Sequence, residues 1–370
     1  MGHTDVVTVD PQKWSHPPFG ADLDGGYVYG RGTVDDKDNL VASLMVMLRL
    51  KRDATPLDRD VIFLAEAGEE GAPEVGAQFM VDQHLDAVNA EFCLAEGGGI
   101  VRTGGRSAAP TSAPPRRNRG PWRSSRAGPP GTGRSPRNNA VMRLSAAVGK
   151  IAAWTPPLRL NETTGTYFRK LAAMSPPDQA ARYRDVLNPD PSVNGPAADW
   201  MLENEPQHWS MLHTSLVPTI VGGGYRYNVI PSEAKATIDV RLHPDENQDT
   251  FLETLRGVIG DPNVEVRWAR DRYRPAGTSA LGTEAFEAIE AQVKAHYGVD
   301  VLPTMSTGAS DMAQMRSKAI QCYGIGPALD TEDGPKGFGA HSDQERILVD
   351  ELHRFVQFEY DIVMALAAKR

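Results

Sequence analysis

The chain has 370 residues, enough for two domains with separate cores. Hydrophobic residues make up 40% and charged residues 24%, an ordinary balance for a soluble globular protein. A net charge of −9 argues against non-specific binding to nucleic acid or to an anionic membrane, and no apolar run approaches the length of a membrane span.

The start of the chain lacks a basic-then-apolar export signal, so a cytoplasmic location is expected. It reads Met1-Gly2-His3-Thr4-Asp5. Residues two apart share one face of a strand, which puts Asp5 in reach of the His3 imidazole to orient it. Glycines 25, 26, 30 and 32 then allow tight turns before Asp35 and Asp36, just ahead of a helix expected over 39–51. Leu40, Leu44, Met47 and Leu48 recur in that helix at helical spacing. A carboxylate at a helix start is favoured by the dipole, and one bridging two metals would occupy the same kind of place.

Residues 61–65, Val-Ile-Phe-Leu-Ala, have the length and character of a buried strand, and Glu69-Glu70 follow. Adjacent carboxylates near a strand end are costly unless something binds them, and two neighbours can divide metal and proton duties. A helix over about 73–87 and a strand over 92–95 come next, the strand ending in Glu96-Gly97-Gly98-Gly99. Alternating buried strands and helices point to an α/β sheet with sites at the carboxyl ends of its strands.

From Arg106 to Arg137 the chain carries eight Arg, seven Pro and no acid, the composition of a solvated, disordered linker. A helix is expected over 140–154. Residues 233–242 alternate cleanly, with Ala234, Ala236, Ile238 and Val240 on one face and Arg241 on the other, as in an antiparallel strand with one wet side. Helices over 245–257 and 283–297 and strands over 264–268 and 319–323 follow, then His341 in a Gly-rich loop before a long final helix. Cys93 and Cys322 both lie in apolar strand-like stretches and read as buried thiols rather than a disulfide. The fold class is therefore α/β, a mixed sheet flanked by helices over 1–103 and 276–370, with an inserted α+β domain over 104–275.

His3, Asp35, Glu70, Glu96 and His341 fall mostly at expected strand ends and loops, and two His with three carboxylates can hold two zinc ions if one carboxylate bridges. These stretches resemble the dinuclear zinc metallopeptidase family of acetylornithine deacetylase, succinyl-diaminopimelate desuccinylase, carboxypeptidase G and aminoacylase. The resemblance rests on Gly2-His3-Thr4-Asp5, Gly30-Arg31-Gly32-Thr33-Val34-Asp35-Asp36-Lys37, Glu69-Glu70, Glu96-Gly97-Gly98, Asn228-Val229-Ile230-Pro231, Asp239-Val240-Arg241 and Ala340-His341-Ser342, in the family's order. It implies Asp35 as the bridge, His3 and Glu96 on one zinc, and Glu70 and His341 on the other, with other divalent metals able to substitute. Asp5 would orient His3, and Glu69 would be the general base for a metal-held hydroxide. Asn228 and Arg241 would bind substrate from a lid or dimerisation domain, Arg241 suiting a carboxylate through its planar fork. The implied activity is hydrolysis of a peptide or an N-acyl amino acid, by an exopeptidase or a deacylase, in a possible homodimer.

Two departures matter. Relatives carry many tens of residues before the His-x-Asp, whereas here Met1 and Gly2 alone precede His3, which reads as a start at an internal Met. Relatives also end a lid strand in a Gly-His-Gly-Ser-x-Pro-like stretch whose His stabilises the oxyanion. This chain has Gly131-Thr132-Gly133-Arg134-Ser135-Pro136, with Thr132 in the place of that His. A one-base slip converts one into the other, so a shifted reading frame over about 106–135 is expected. A second reading follows, from a different class: a catalytically impaired or dead fragment retaining only fold or binding.

Overall fold

A computed structural model describes residues 1–103, 106–112, 118–124, 139–269, 277–305 and 310–369. The chain divides into two compact units. The first comprises Met1–Pro115, Gly277–Ser306 and Ser310–Arg370, the second essentially Arg116–Ala276.

In the first unit, Gly2–His3 runs parallel to Ala65–Glu66, and Phe92–Ala95 runs parallel to Gln321–Gly324. A four-stranded sheet has the order Leu302–Pro303, Arg106–Ser112, Gly99–Thr103, Ala328–Asp330. A small antiparallel sheet joins Arg346–Leu348, Tyr27–Tyr29 and Asp22–Asp24. Helices Lys37–Arg52 and Glu284–Tyr297 both pack on the long helix Val349–Ala367. Their core gathers Ala42, Phe286, Ile289, Tyr323, Phe355, Phe358 and Ile362. Thr283 starts the helix Glu284–Tyr297 by accepting from the Phe286 N–H, and Gly298 ends it in the left-handed region at φ 71°.

The second unit has an antiparallel sheet in the order Arg267–Trp268, Asn118–Ser124, Ala234–Leu242, Ser215–Gly223. The expected alternation holds: Ala234, Ala236, Ile238 and Val240 are buried against helices Ala140–Ala152 and Gln248–Ile259. Four further helices, Glu162–Met174, Pro177–Asp185, Pro191–Asn204 and Pro206–Leu212, complete it.

Several expectations need correcting. Part of the Arg/Pro block is strand: Arg106–Ser112 pairs with Gly99–Thr103, and Asn118–Ser124 pairs with Ala234–Leu242. Ladder pairing uses main-chain N–H and C=O, so a stretch without apolar alternation can still be held between two strands. Thr132 and the rest of 125–138 lie outside the described residues. The strand expected over 61–65 is confined to Ala65–Glu66, because its ladder partner covers Gly2 and His3 alone. The helix expected over 73–87 is three short pieces, Pro73–Val75, Ala77–Gln83 and Leu85–Val88. In Lys37–Arg52 the buried face is Asn39, Ala42, Val46 and Leu50, while Leu44 and Leu48 are 45% and 37% exposed. That helix is apolar on two sides, and the side facing Val349–Ala367 is the one covered.

Glu359 is a buried acid on that interface. Its Oε1 accepts from Ser43 Oγ at 2.6 Å, and its Oε2 has no partner among the described residues. Burial pushes its carboxyl up to about 7, against the pull of the Ser43 hydroxyl. An acid raised in the folded state holds its proton longer there than in the unfolded chain. Stability therefore falls as pH rises from about 4.5 towards 7 and stays lower above that. Glu359→Gln should match the wild type near pH 5 and exceed it at pH 8, by about 2–3 kcal/mol in urea unfolding. Parallel pH slopes in the two proteins would show that Glu359 titrates as an ordinary carboxylate.

Candidate metal centre

The first unit brings five of the expected side chains together around Asp35. His3 Nε2 lies 3.0 Å from Asp35 Oδ1 and 3.9 Å from Glu96 Oε2. His341 Nε2 lies 3.0 Å from Asp35 Oδ2 and 3.1 Å from Glu70 Oε1. Each Asp35 oxygen thus faces a different imidazole. Two three-residue groups result, His3–Asp35–Glu96 and Asp35–Glu70–His341, each with ligand atoms within 4.8 Å of one another.

Each residue is delivered by a distinct piece of backbone. His3 ends the first strand, Glu96 follows Phe92–Ala95, Asp35 precedes Lys37–Arg52, and Glu70 lies in the loop after Ala65–Glu66. Gly68 makes that last loop possible: its φ is +84°, and a Cβ there would fall 2.2 Å from the Ala72 carbonyl oxygen. Half-buried Glu69 sits between this turn and Glu70. A cavity of about 320 Å³ opens beside the centre, lined by Asp35, Glu96, Gly97, Gly98 and Ala340 among others.

Asp5 meets His3 through its main chain and the Glu70 loop through its side chain. The His3 Nδ1 donates to the Asp5 main-chain carbonyl at 2.9 Å, while the carboxylate stands 3.6 Å away. That carboxylate instead accepts from the N–H groups of Gly68 and Glu70 at 2.8 and 3.1 Å. It therefore fixes the loop carrying Glu69 and Glu70. Arg241 lies in the second unit, half-buried on Ala234–Leu242 with its Nε 3.1 Å from Asp239 Oδ2, and Asn228 is exposed in the same unit.

The electrostatics fit a cation. Burial alone would lower the His3 pKa, but the hydrogen bond to Asp35 and the charges of Asp36 and Glu96 push it up to about 10. Burial and the nearby Asp35 charge raise the Glu70 carboxyl, with His341 opposing them. With Nδ1–H committed to the Asp5 carbonyl, His3 Nε2 faces carboxylates, where a proton or a metal ion is the stabilising occupant. Mixed imidazole and carboxylate donors suit zinc and similar divalent ions.

Sequence reasoning missed Glu345 and Arg31, which are buried to 0% and 6% exposure. Glu345 accepts from the N–H groups of Gly32, Val34 and Asp35 at 2.9, 2.7 and 3.0 Å, and from Arg31 Nη1 at 2.8 Å. Arg31 Nη2 in turn donates to the Ser342 carbonyl at 2.6 Å, next to His341. The signal available was the Glu345 acid four residues after His341, but its partners lie over 300 residues away. Asp36 was read as a dipole-favoured cap. It is wholly buried and accepts from the His3 N–H at 3.2 Å and from Asn39 Nδ2 at 2.6 Å.

A profile for Peptidase family M20/M25/M40 matches residues 1–365. The chain belongs to this peptidase family. As an M20 peptidase it is a hydrolase of amide or peptide bonds. Among its relatives, the probable carboxypeptidase S-like 2 of Dictyostelium discoideum is 26% identical over 98% of this chain and 70% of that protein. The N-fatty-acyl-amino acid synthase/hydrolase PM20D1 of Homo sapiens is 26% identical over 98% of this chain and 72% of that one. In fold, this M20 peptidase is similar to the M20 family metallo-carboxypeptidase Sso-CP2 from Sulfolobus solfataricus. The TM-score is 0.68 at 18% identity, covering 98% of this chain and 83% of that one.

Removing the Glu345 carboxylate would leave three N–H groups and Arg31 Nη1 without their acceptor, and the buried guanidinium without its counter-charge. Glu345→Ala should cost about 3–5 kcal/mol in urea unfolding, and Glu345→Gln, which keeps an acceptor oxygen, clearly less. Equal losses in the two variants would show that shape rather than charge pairing holds these loops.

Proposed function

We propose that the chain binds two divalent metal ions, zinc by preference, and hydrolyses the amide bond of a small peptide or an N-acyl amino acid. The observation that carries this reading is the placing of Asp35 between two imidazoles, each with its own further carboxylate. His3 and Glu96 would complete one ion's ligands, Glu70 and His341 the other's. When bound, such ions would polarise the scissile carbonyl and acidify a water.

Glu69 would take the proton from the attacking water and pass it to the leaving amine nitrogen. It stands next to Glu70 in the same loop, outside both groups of candidate metal donors, and a carboxylate there suits proton transfer. Asp5 holds the Glu69 loop through the N–H groups of Gly68 and Glu70, keeping the base on station. Asn228 and Arg241 are proposed to receive the substrate carboxylate. The carboxypeptidase and N-acyl amino acid hydrolase names of the relatives support both substrate classes. The impaired-fragment reading is less well supported, since the family match runs over 1–365 and all five ligand side chains converge.

Self-association is proposed through Ser215–Gly223, an outer strand of the second unit's sheet whose Val217, Ile220 and Val221 are 52%, 64% and 60% exposed. Ile220→Lys should shift the mass in light scattering from dimer to monomer. A wild-type monomer at all concentrations would remove that proposal.

For the reaction, Glu69→Gln should keep close to two metal ions per chain while turnover falls by about 10²–10⁴. His341→Ala should lose at least one ion. Metal analysis of the folded wild type, the two variants and a turnover assay on dipeptides and N-acyl amino acids decide the matter. A metal-free folded protein, or full turnover in Glu69→Gln, would sink the assignment.

A further inference from the structure

The two cysteines of the 370-residue chain, Cys93 and Cys322, are ladder partners on adjacent parallel strands, Phe92–Ala95 and Gln321–Gly324. Partners on parallel strands point to the same face, and both side chains join one buried cluster with Ala95, Met312 and Ile320. Strands lie about 4.7–4.9 Å apart, inside the Cα separation of about 4.4–6.8 Å that a disulfide spans. Both thiols are free.

Their surroundings differ. Cys93 is 9% exposed and forms part of the wall of a cavity of about 490 Å³, whereas Cys322 is fully buried. The Cys322 thiol donates to the Ile320 carbonyl at 3.4 Å and the Cys93 thiol to the Leu94 carbonyl at 3.8 Å. The neighbouring Cys322 thiol, with the Met1 amine and Arg316, lowers the Cys93 thiol against the effect of burial. Burial pushes the Cys322 thiol up. Arg316 is fixed there by donating from Nη2 to the Cys322 carbonyl at 2.7 Å and from Nε to Ser279 Oγ at 3.0 Å. One thiol thus lies on a cavity wall and its ladder partner is sheltered in the core, a placing that suits a redox-active pair.

We infer that Cys93 and Cys322 form a peroxide-sensitive dithiol that closes reversibly to a disulfide across these two strands. The Cys93 thiolate attacks one oxygen of hydrogen peroxide, breaking the O–O bond and releasing hydroxide, to give a sulfenic acid. The Cys322 sulfur then attacks the Cys93 sulfur, the S–O bond breaks, and water leaves. Two thiols and one peroxide become one disulfide and two waters, the two electrons passing from sulfur to oxygen. The bond would tie the strand that leads into Glu96 to its neighbour, a link independent of any metal.

The test uses the whole chain, reduced and freed of reductant, then exposed to a few equivalents of hydrogen peroxide. Remaining thiols are alkylated in denaturant and the peptides mapped by mass. Both thiols should disappear together, a linked Cys93–Cys322 peptide should appear, and dithiothreitol should restore both. In Cys322→Ala the Cys93 sulfenic acid should become trappable by dimedone, and in Cys93→Ala the Cys322 thiol should survive peroxide. The inference is overturned if both thiols stay free while methionines oxidise. It is equally overturned if Cys93 alone passes to sulfinic acid, or if the disulfide joins two chains. The wild-type mapping needs no substitution, so a variant that fails to fold leaves the test intact.

Discussion

The acidic centre depends on one buried carboxylate that lies outside both groups of candidate metal donors. Glu345 draws together the N–H groups of Gly32, Val34 and Asp35 and the guanidinium of Arg31, which also holds the carbonyl beside His341. Two loops more than 300 residues apart in sequence are thereby tied at a single point. Burial pushes the Glu345 carboxyl up, while the backbone donors and Arg31 pull it down. Both Glu345 carboxylate oxygens are paired, and a buried carboxylate held by several donors fixes the geometry of the loops that supply them. His341 needs such support: it is exposed, and its φ of 59° lies in the left-handed region that non-glycine residues seldom occupy.

The rest of the centre concentrates carboxylates: Asp35, Asp36 and Glu96 gather around His3, and Asp35 and Glu70 around His341. His3 is raised to about 10 because Asp35, Asp36 and Glu96 crowd it, and Asp36 is itself pushed well above the carboxylate range by burial and by Glu96. Folding such a group costs free energy unless a cation joins it. The same cluster that is awkward for an empty site is therefore the arrangement from which metal binding would draw its driving force. Positioning groups add to this without touching the ligand atoms. The Asp5 carbonyl sets the His3 tautomer, and the Asp5 carboxylate sets the Glu69 loop.

Much of this was legible in the sequence, for a physical reason. His3, Asp35, Glu70, Glu96 and His341 are polar groups beside strand ends or helix starts, where short local patterns mark them out. The alternation of Ala234, Ala236, Ile238 and Val240 was equally readable, because a strand's period is local. Glu345, Arg31 and Asp36 were not, since each takes its meaning from a distant backbone group. The spacing of His3 and Asp5 puts the two side by side, and the structure adds that the Asp5 main-chain carbonyl is the atom that meets the imidazole. The Arg/Pro block misled in a different way. Its composition speaks of side chains, while the strands Arg106–Ser112 and Asn118–Ser124 are held through main-chain pairing.

The apolar stretches that failed expectation show the same distinction from the other side. Leu44 and Leu48 repeat at helical spacing, yet the helix turns Ala42, Val46 and Leu50 to the core instead. Residues 61–64 are apolar enough for a buried strand, but the ladder reaches Leu64 only through the Gly2 N–H and pairs Ala65 and Glu66 alone. Burial is a property of two surfaces, and a sequence reports only one of them. Register, in contrast, decides the site outright. His3 opposes Glu66 in the parallel ladder, and because side chains alternate with a period of two, a slip of one residue would turn His3 away from Asp35. A ladder of two residue pairs therefore sets where His3 stands in the acidic centre.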